Sequence, residues 1–139
     1  MKDDQRETER TVPVTVGQID AILSFLEHFE AAGFSAGEWK MPEGQFPWFS
    51  FDDAVMAFHQ SLYDNGWVTP AFDWTSWQAT AQEFVDSPEK VAEADAGTIQ
   101  KLFTTHVRAD RFCEGHLAAM FESGHIVALL RRLKTIRER

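Results

Sequence analysis

Apolar residues recur at helical spacing along most of this chain, and the polar residues that interrupt them sit where helices start and stop. The first run places Ile19, Ile22, Leu23, Leu26 and Phe29 on one face. Thr15 and Gln18 have capping-box spacing, and Val14 with Ile19 has that of a hydrophobic staple, so a helix opens near Val16 and runs to Gly33. A second face, Phe51, Val55, Phe58 and Leu62, follows Ser50 as N-cap and carries Asp52 and Asp53 in its first turn. The helix dipole favours negative charge there, and Asn65 with Gly66 supplies a left-handed stop. Asp73 caps a third helix from Trp74 to Val85, with Phe72 stapled to Trp77. Ser87 and Pro88 begin a short fourth helix reaching about Ala94, and Asp95 or Thr98 opens the C-terminal part.

The densest stretch is Thr104 to Leu133, THVRADRFCEGHLAAMFESGHIVALLRRL. One straight helix would put His106 and Asp110 in the same apolar stripe as Leu102, Phe103 and Leu117 but turn Phe112 the other way. A break near Ala109, with Asp110 capping the next helix, instead collects Phe112, Cys113, His116, Leu117 and Met120 into one buried stripe. A last amphipathic helix follows through Ile126, Leu129, Leu130, Leu133 and Ile136. The pattern predicts an all-α fold: a compact single-domain bundle of six or seven helices over residues 13–139, after a flexible charged tail over 1–12. The one irregular element is the aromatic-rich loop at 34–49. Its Phe34, Trp39, Phe46 and Trp48 either fold back to roof the core, with a short hairpin around Glu43 and Gly44, or anchor an interface.

Composition narrows the class. A chain of 139 residues with 44% hydrophobic composition buries the core of one domain. A single cysteine cannot close an internal disulfide, and no apolar run follows the charged opening, so the expected location is cytoplasmic. No apolar run approaches the roughly 20 residues that span a bilayer, so no membrane role is expected. The net charge of −9 is unevenly spread: residues 11–100 hold Lys40 and Lys90 against fourteen carboxylates, whereas 101–139 hold eight basic and four acidic residues. An acidic body repels phosphates, which argues against direct nucleic-acid binding and for a partner protein with a basic surface. The basic end has its own explanation: Arg131, Arg132, Lys134 and Arg137 suit a helix C-terminus and can reach the acidic body. The pattern fixes no oligomeric state.

Candidate chemistry concentrates in the dense stretch. His106, Asp110, Arg111, Glu114 and His116 are candidate catalytic residues for hydrolase-like acid/base or metal-assisted work. No HExxH-type pair or cysteine ligand pair is present, so no metal and no cofactor is expected. Cys113 and His116, three residues apart, have the spacing of a nucleophile and base, although a lone cysteine in a helical stripe is more often core. The structural alternative is a buried polar network of Arg108, Asp110, Arg111, Glu114 and His125, arginines paired with carboxylates and histidines donating to backbone carbonyls. The interaction alternative uses Trp39, Phe46 and Trp48 with Asp52 and Asp53 as a binding surface.

The pattern THxRxDRFxEGHxxxxFExGHIxxLLRRL, with NGWxxPxFDWxxW upstream, resembles a bacterial and mobile-element family known as a domain of unknown function. The resemblance covers roughly the last 80 residues closely and the N-terminal half loosely, and TPAFDW carries one residue more than the PFDW form of that family. It implies a compact domain and no particular reaction. The function that composition and pattern favour is a small acidic interaction module, an inhibitor or adaptor such as a mobile-element anti-defence inhibitor. An enzyme built on the histidine and carboxylate cluster is the rival.

Overall fold

A computed structural model describes residues 13–139, and the expected charged tail at 1–12 lies outside the described residues. The chain is a mostly helical domain with one small hairpin. Its elements run α1 (Val16–Leu23), α2 (Leu26–Glu30), β1 (Gly37–Lys40), β2 (Trp48–Phe51), α3 (Asp53–Asp64), a 3-10 turn (Thr75–Trp77), α4 (Gln78–Asp86), α5 (Pro88–Glu93), α6 (Ala96–Asp110), α7 (His116–Glu122) and α8 (His125–Arg137). Among the described residues there are eight α-helices, more than the pattern predicts, because the first run breaks at Ser24–Phe25. The break turns Phe25 onto Phe29 and Phe58, joining an aromatic cluster that includes Phe34 and Phe121.

Local signals place most helix ends. Thr15 and Gln18 form the capping box, Ser87 caps α5 with Pro88 at its first position, and Asp95 caps α6. Two assignments move. Asp52, not Ser50, caps α3 through Ala54 N–H, because Ser50 is held in β2. The expected third helix opens as the 3-10 turn, where the Asp73 carboxylate accepts from the Thr75 hydroxyl, and Phe72 and Trp77 meet edge to face as a staple.

α8 is the spine. It lies against α1, α2, α5, α6 and α7, and buries Ile126, Leu129, Leu130 and Leu133 completely. The other fully buried large side chains include Trp67, Phe58, Phe103 and Leu102. The segment after α3 is strapped onto α6: Gln100 Nε2 donates to Gly66 O, Thr104 Oγ1 donates to Trp67 O, and Thr69 N–H donates to Thr104 Oγ1. Trp67 Nε1 in turn donates to Gln18 O, which ties α1 to the same strap. Pairing these donors under burial keeps each from costing roughly 1–3 kcal/mol, while Gln100 Oε1 is buried without a partner among the described residues.

The irregular segment forms an antiparallel hairpin with Trp39 opposite Phe49 and Lys40 opposite Trp48. Gly37 makes its base: at φ 145° a Cβ would sit 2.0 Å from Ser50 O, so only glycine lets the strands close there. The basic end of α8 meets the acidic body as expected, with Arg131 on Glu30, Arg137 on Asp20 at 2.9 Å, and Arg132 Nε donating to Ala94 O. Among the described residues no helix is long and apolar enough to cross a membrane.

Candidate functional site

α6 drives Ile99, Leu102 and Phe103 into the core and takes His106 with them, to 2% exposure. A buried imidazole must find partners for its ring nitrogens or lose its hydration without replacement. His106 finds two other histidines. Its Nδ1 lies 3.1 Å from Nε2 of His116, the first residue of α7, and its Nε2 lies 3.0 Å from Nε2 of His125, the first residue of α8. Each partner follows a glycine in the left-handed region, Gly115 at φ 96° and Gly124 at φ 84°. Gly115 is further required because a Cβ there would come within 2.8 Å of the Trp39 ring.

A neutral imidazole has one donor and one acceptor nitrogen, so the three rings form a directional chain: donation runs from His116 towards His125, or the reverse. The surroundings hold the chain neutral. Burial, reinforced by His125 and His116, pushes His106 well below the ordinary histidine range. Burial and then His116 lower His125 to about 4. His116 is lowered by burial against an opposing pull from Asp110. His116 and His125 also occupy helix N-termini, whose dipole disfavours a cation. The chain opens on one side into a cleft of about 280 Å³, lined by the buried His106, the half-buried His116 and Trp74, and the exposed Phe112, Gln78 and Cys113.

The other candidate residues do not join the histidines. Asp110 Oδ1 accepts from Leu117 N–H at 2.9 Å, capping α7, and faces a second cleft of about 350 Å³ beside His59 and Met56. Burial lowers the His59 pKa, with Asp110 opposing. Arg111 is exposed and donates to Tyr63 Oη at 2.9 Å, while Glu114 Oε2 accepts from Phe49 N–H at 2.8 Å. Arg108 Nε is buried without a partner among the described residues. The expected arginine–carboxylate pairs are therefore absent. The turn at Arg111–Gly115 splays these side chains apart, and both carboxylates go instead to backbone N–H groups left open by the helix break and the hairpin. The histidines likewise bond one another rather than backbone carbonyls. The predicted stripe is corrected too: Leu117 and Met120 are buried, but Phe112 is 81% exposed and Cys113 is exposed, because they lie in the turn rather than on a helix.

Glu114→Ala is expected to cost about 1–2 kcal/mol, since it strips a charged acceptor from a half-buried amide, whereas Arg111→Ala should stay within about 0.5 kcal/mol. Thermal denaturation measures both, and faster amide exchange at Phe49 in the Glu114 variant marks the cause. Equal losses in the two variants would contradict this assignment.

Among the described residues no group of histidine, cysteine, aspartate and glutamate is placed to hold a metal ion. The geometry explains it: His106 turns a different nitrogen to each neighbour, so the rings do not converge on a common point.

The proposed binding residues divide by strand alternation. Trp39 shares a face with Phe49, their ring centroids 5.4 Å apart, and covers Gly115. Trp48 lies on the opposite face beside Lys40. Phe46, in the connecting turn, is 91% exposed, and Met41 beside β1 is 76% exposed. Asp52 caps α3 and stands 3.5 Å from His28, while Asp53 is exposed in the first turn. The apolar pattern singles out neither Met41 nor Trp74 as a site residue; a methionine between prolines and tryptophans was the only signal for the first.

A mostly helical domain with a neutral histidine chain behind a cleft, and an aromatic hairpin at one edge, is the class these elements define. The chain belongs to DUF6508, a family of unknown function, which matches residues 14–139. The match reaches through the N-terminal half as well as the C-terminal pattern. No curated protein and no solved structure matches the chain.

Proposed function

We propose that this protein is an acidic interaction module whose hairpin end docks onto a partner protein with a basic surface around an apolar pocket. The observation that carries the reading is Phe46 at 91% exposure, flanked by Met41 at 76% and Trp48 at 46%. Burying a phenylalanine side chain is worth about 1.5–3 kcal/mol, and Phe46 leaves that term unused although most of the other aromatics are at least half-buried. Aromatic anchors of this kind dominate protein interfaces when they enter a pocket and lose their water.

Charge selects the partner. Glu38, Glu43, Asp52 and Asp53 surround the hairpin against Lys40 alone, and Lys40 is bridged to Glu38. The basic residues Arg131 and Arg137 are occupied by Glu30 and Asp20 on the body. A basic rim around an apolar hole complements the hairpin end, and steering by such a field weakens with salt. The hairpin is also held in place, through Glu114 to Phe49 and Trp39 over Gly115, so little ordering opposes docking.

The test places a photo-crosslinking residue at position 46 and a control at position 134, and compares wild type with Phe46→Ser/Trp48→Ala in native lysate. A basic protein crosslinked from position 46 only, captured less at high salt and lost in the folded double variant, is the expected result. Capture that survives the double variant, or crosslinks equally from position 134, sinks the reading.

A further inference from the structure

No residue of the hairpin lines the cleft beside the histidine chain, and its lining is chemically selective. No aspartate, glutamate, lysine or arginine lines it. Two of its polar groups are already engaged: the Thr105 hydroxyl donates to Lys101 O and the Gln82 amide donates to Asp86. Among the described residues the Gln78 amide, the Cys113 thiol and Nδ1 of His116 have no hydrogen-bond partner, and of these Nδ1 of His116 is the one linked to the buried histidine chain. In the same lining, Phe112 is 81% exposed and stacks on Trp74 with an interplanar angle of 25° and centroids 5.8 Å apart. A flat apolar edge thus stands over a neutral polar end. The space, about 280 Å³, exceeds the roughly 150 Å³ that suffices for benzene in an apolar cavity.

We propose that this cleft binds a small, uncharged, planar ring carrying one hydroxyl or ring N–H, packed against Trp74 and Phe112 and donating its hydrogen bond to Nδ1 of His116. A charged ligand would find no counter-ion there, and a purely apolar one would leave His116 unsatisfied. Occupancy has a consequence at a distance. When Nδ1 of His116 accepts from the ligand, its proton must be on Nε2, which donates to Nδ1 of His106. His106 then donates from Nε2 to Nε2 of His125, leaving the His125 proton on Nδ1. The ligand therefore sets the direction of the whole chain, and His125, which does not line the cleft, reports it.

The probe is p-cresol, titrated into full-length protein labelled with nitrogen-15 in its histidines, with 4-methylanisole as the same ring without a donor and benzoate as a charged ring. Saturable shifts at His116, His106 and His125 towards the single tautomer pattern described, with the ether and benzoate at least tenfold weaker, are expected. Phe112→Ala, an exposed position that leaves the fold intact, should weaken p-cresol at least fivefold at unchanged Tm. No saturable shift up to the solubility limit, equal binding of the ether, a response confined to His116, or full binding by Phe112→Ala would each overturn the proposal. None of these outcomes depends on the hairpin.

Discussion

Lowering the pH from 7 to 5 is expected to remove about 2 kcal/mol of folding stability through His125 alone, rising to about 3 kcal/mol at pH 4. The sign follows from the two end states. His125 titrates at about 4 when folded against an ordinary value of 6.5, so in this window the unfolded chain binds the proton that the folded chain refuses. Stability is full above the unfolded value and falls as pH drops towards the folded one. His106, pushed the same way by burial, adds to the loss. Urea unfolding at pH 7 and pH 5 measures it, and histidine nitrogen spectra should show both rings still neutral at pH 5 in the folded protein. A midpoint that does not move between these pH values would remove the desolvated chain from the account.

His106→Ala is the substitution with the largest expected cost, about 3–5 kcal/mol, a large share of the 5–15 kcal/mol that holds a typical domain folded. It opens a cavity where a ring only 2% exposed stood, and strands Nε2 of His125 at 4% exposure. Unpaired burial and lost packing act together there. A double substitution separates them. His106→Leu/His125→Leu refills the space and removes both polar partners, so it should be less destabilised than the two single changes summed, by about 1–3 kcal/mol. Strict additivity, or a His106→Ala midpoint within about 1 kcal/mol of wild type, would show that the histidines do not act as a unit.

These effects arise from a contact that the sequence only half discloses. His106 sits in the apolar stripe of α6, and that is enough to read it as buried. Nothing in the spacing says that its partners are His116 and His125, because the choice depends on how sharply the chain turns at Gly115 and Gly124. The same turn separates what the sequence puts side by side. Arg111 and Glu114 are near neighbours in the chain and pair with Tyr63 and Phe49 instead of each other. Phe112 and Cys113 look like core in a helical projection and stand in solvent because no helix covers those residues. In the hairpin, the aromatic content was plain, but the strand pairing decides that Trp39 lies beside Phe49 and over Gly115, on the opposite face from Trp48.

What the sequence determined by itself is local: the helical class, the capping box at Thr15, the caps at Ser87 and Asp95, the staple of Phe72 on Trp77, and the buried stripe of α8. Each rests on residues within one or two helical turns, where backbone geometry alone brings side chains together. Only the tertiary structure decided which polar groups meet. Hydrogen-bond partners 10, 19 and 65 residues apart are chosen by turn angles and strand register, which no periodicity encodes.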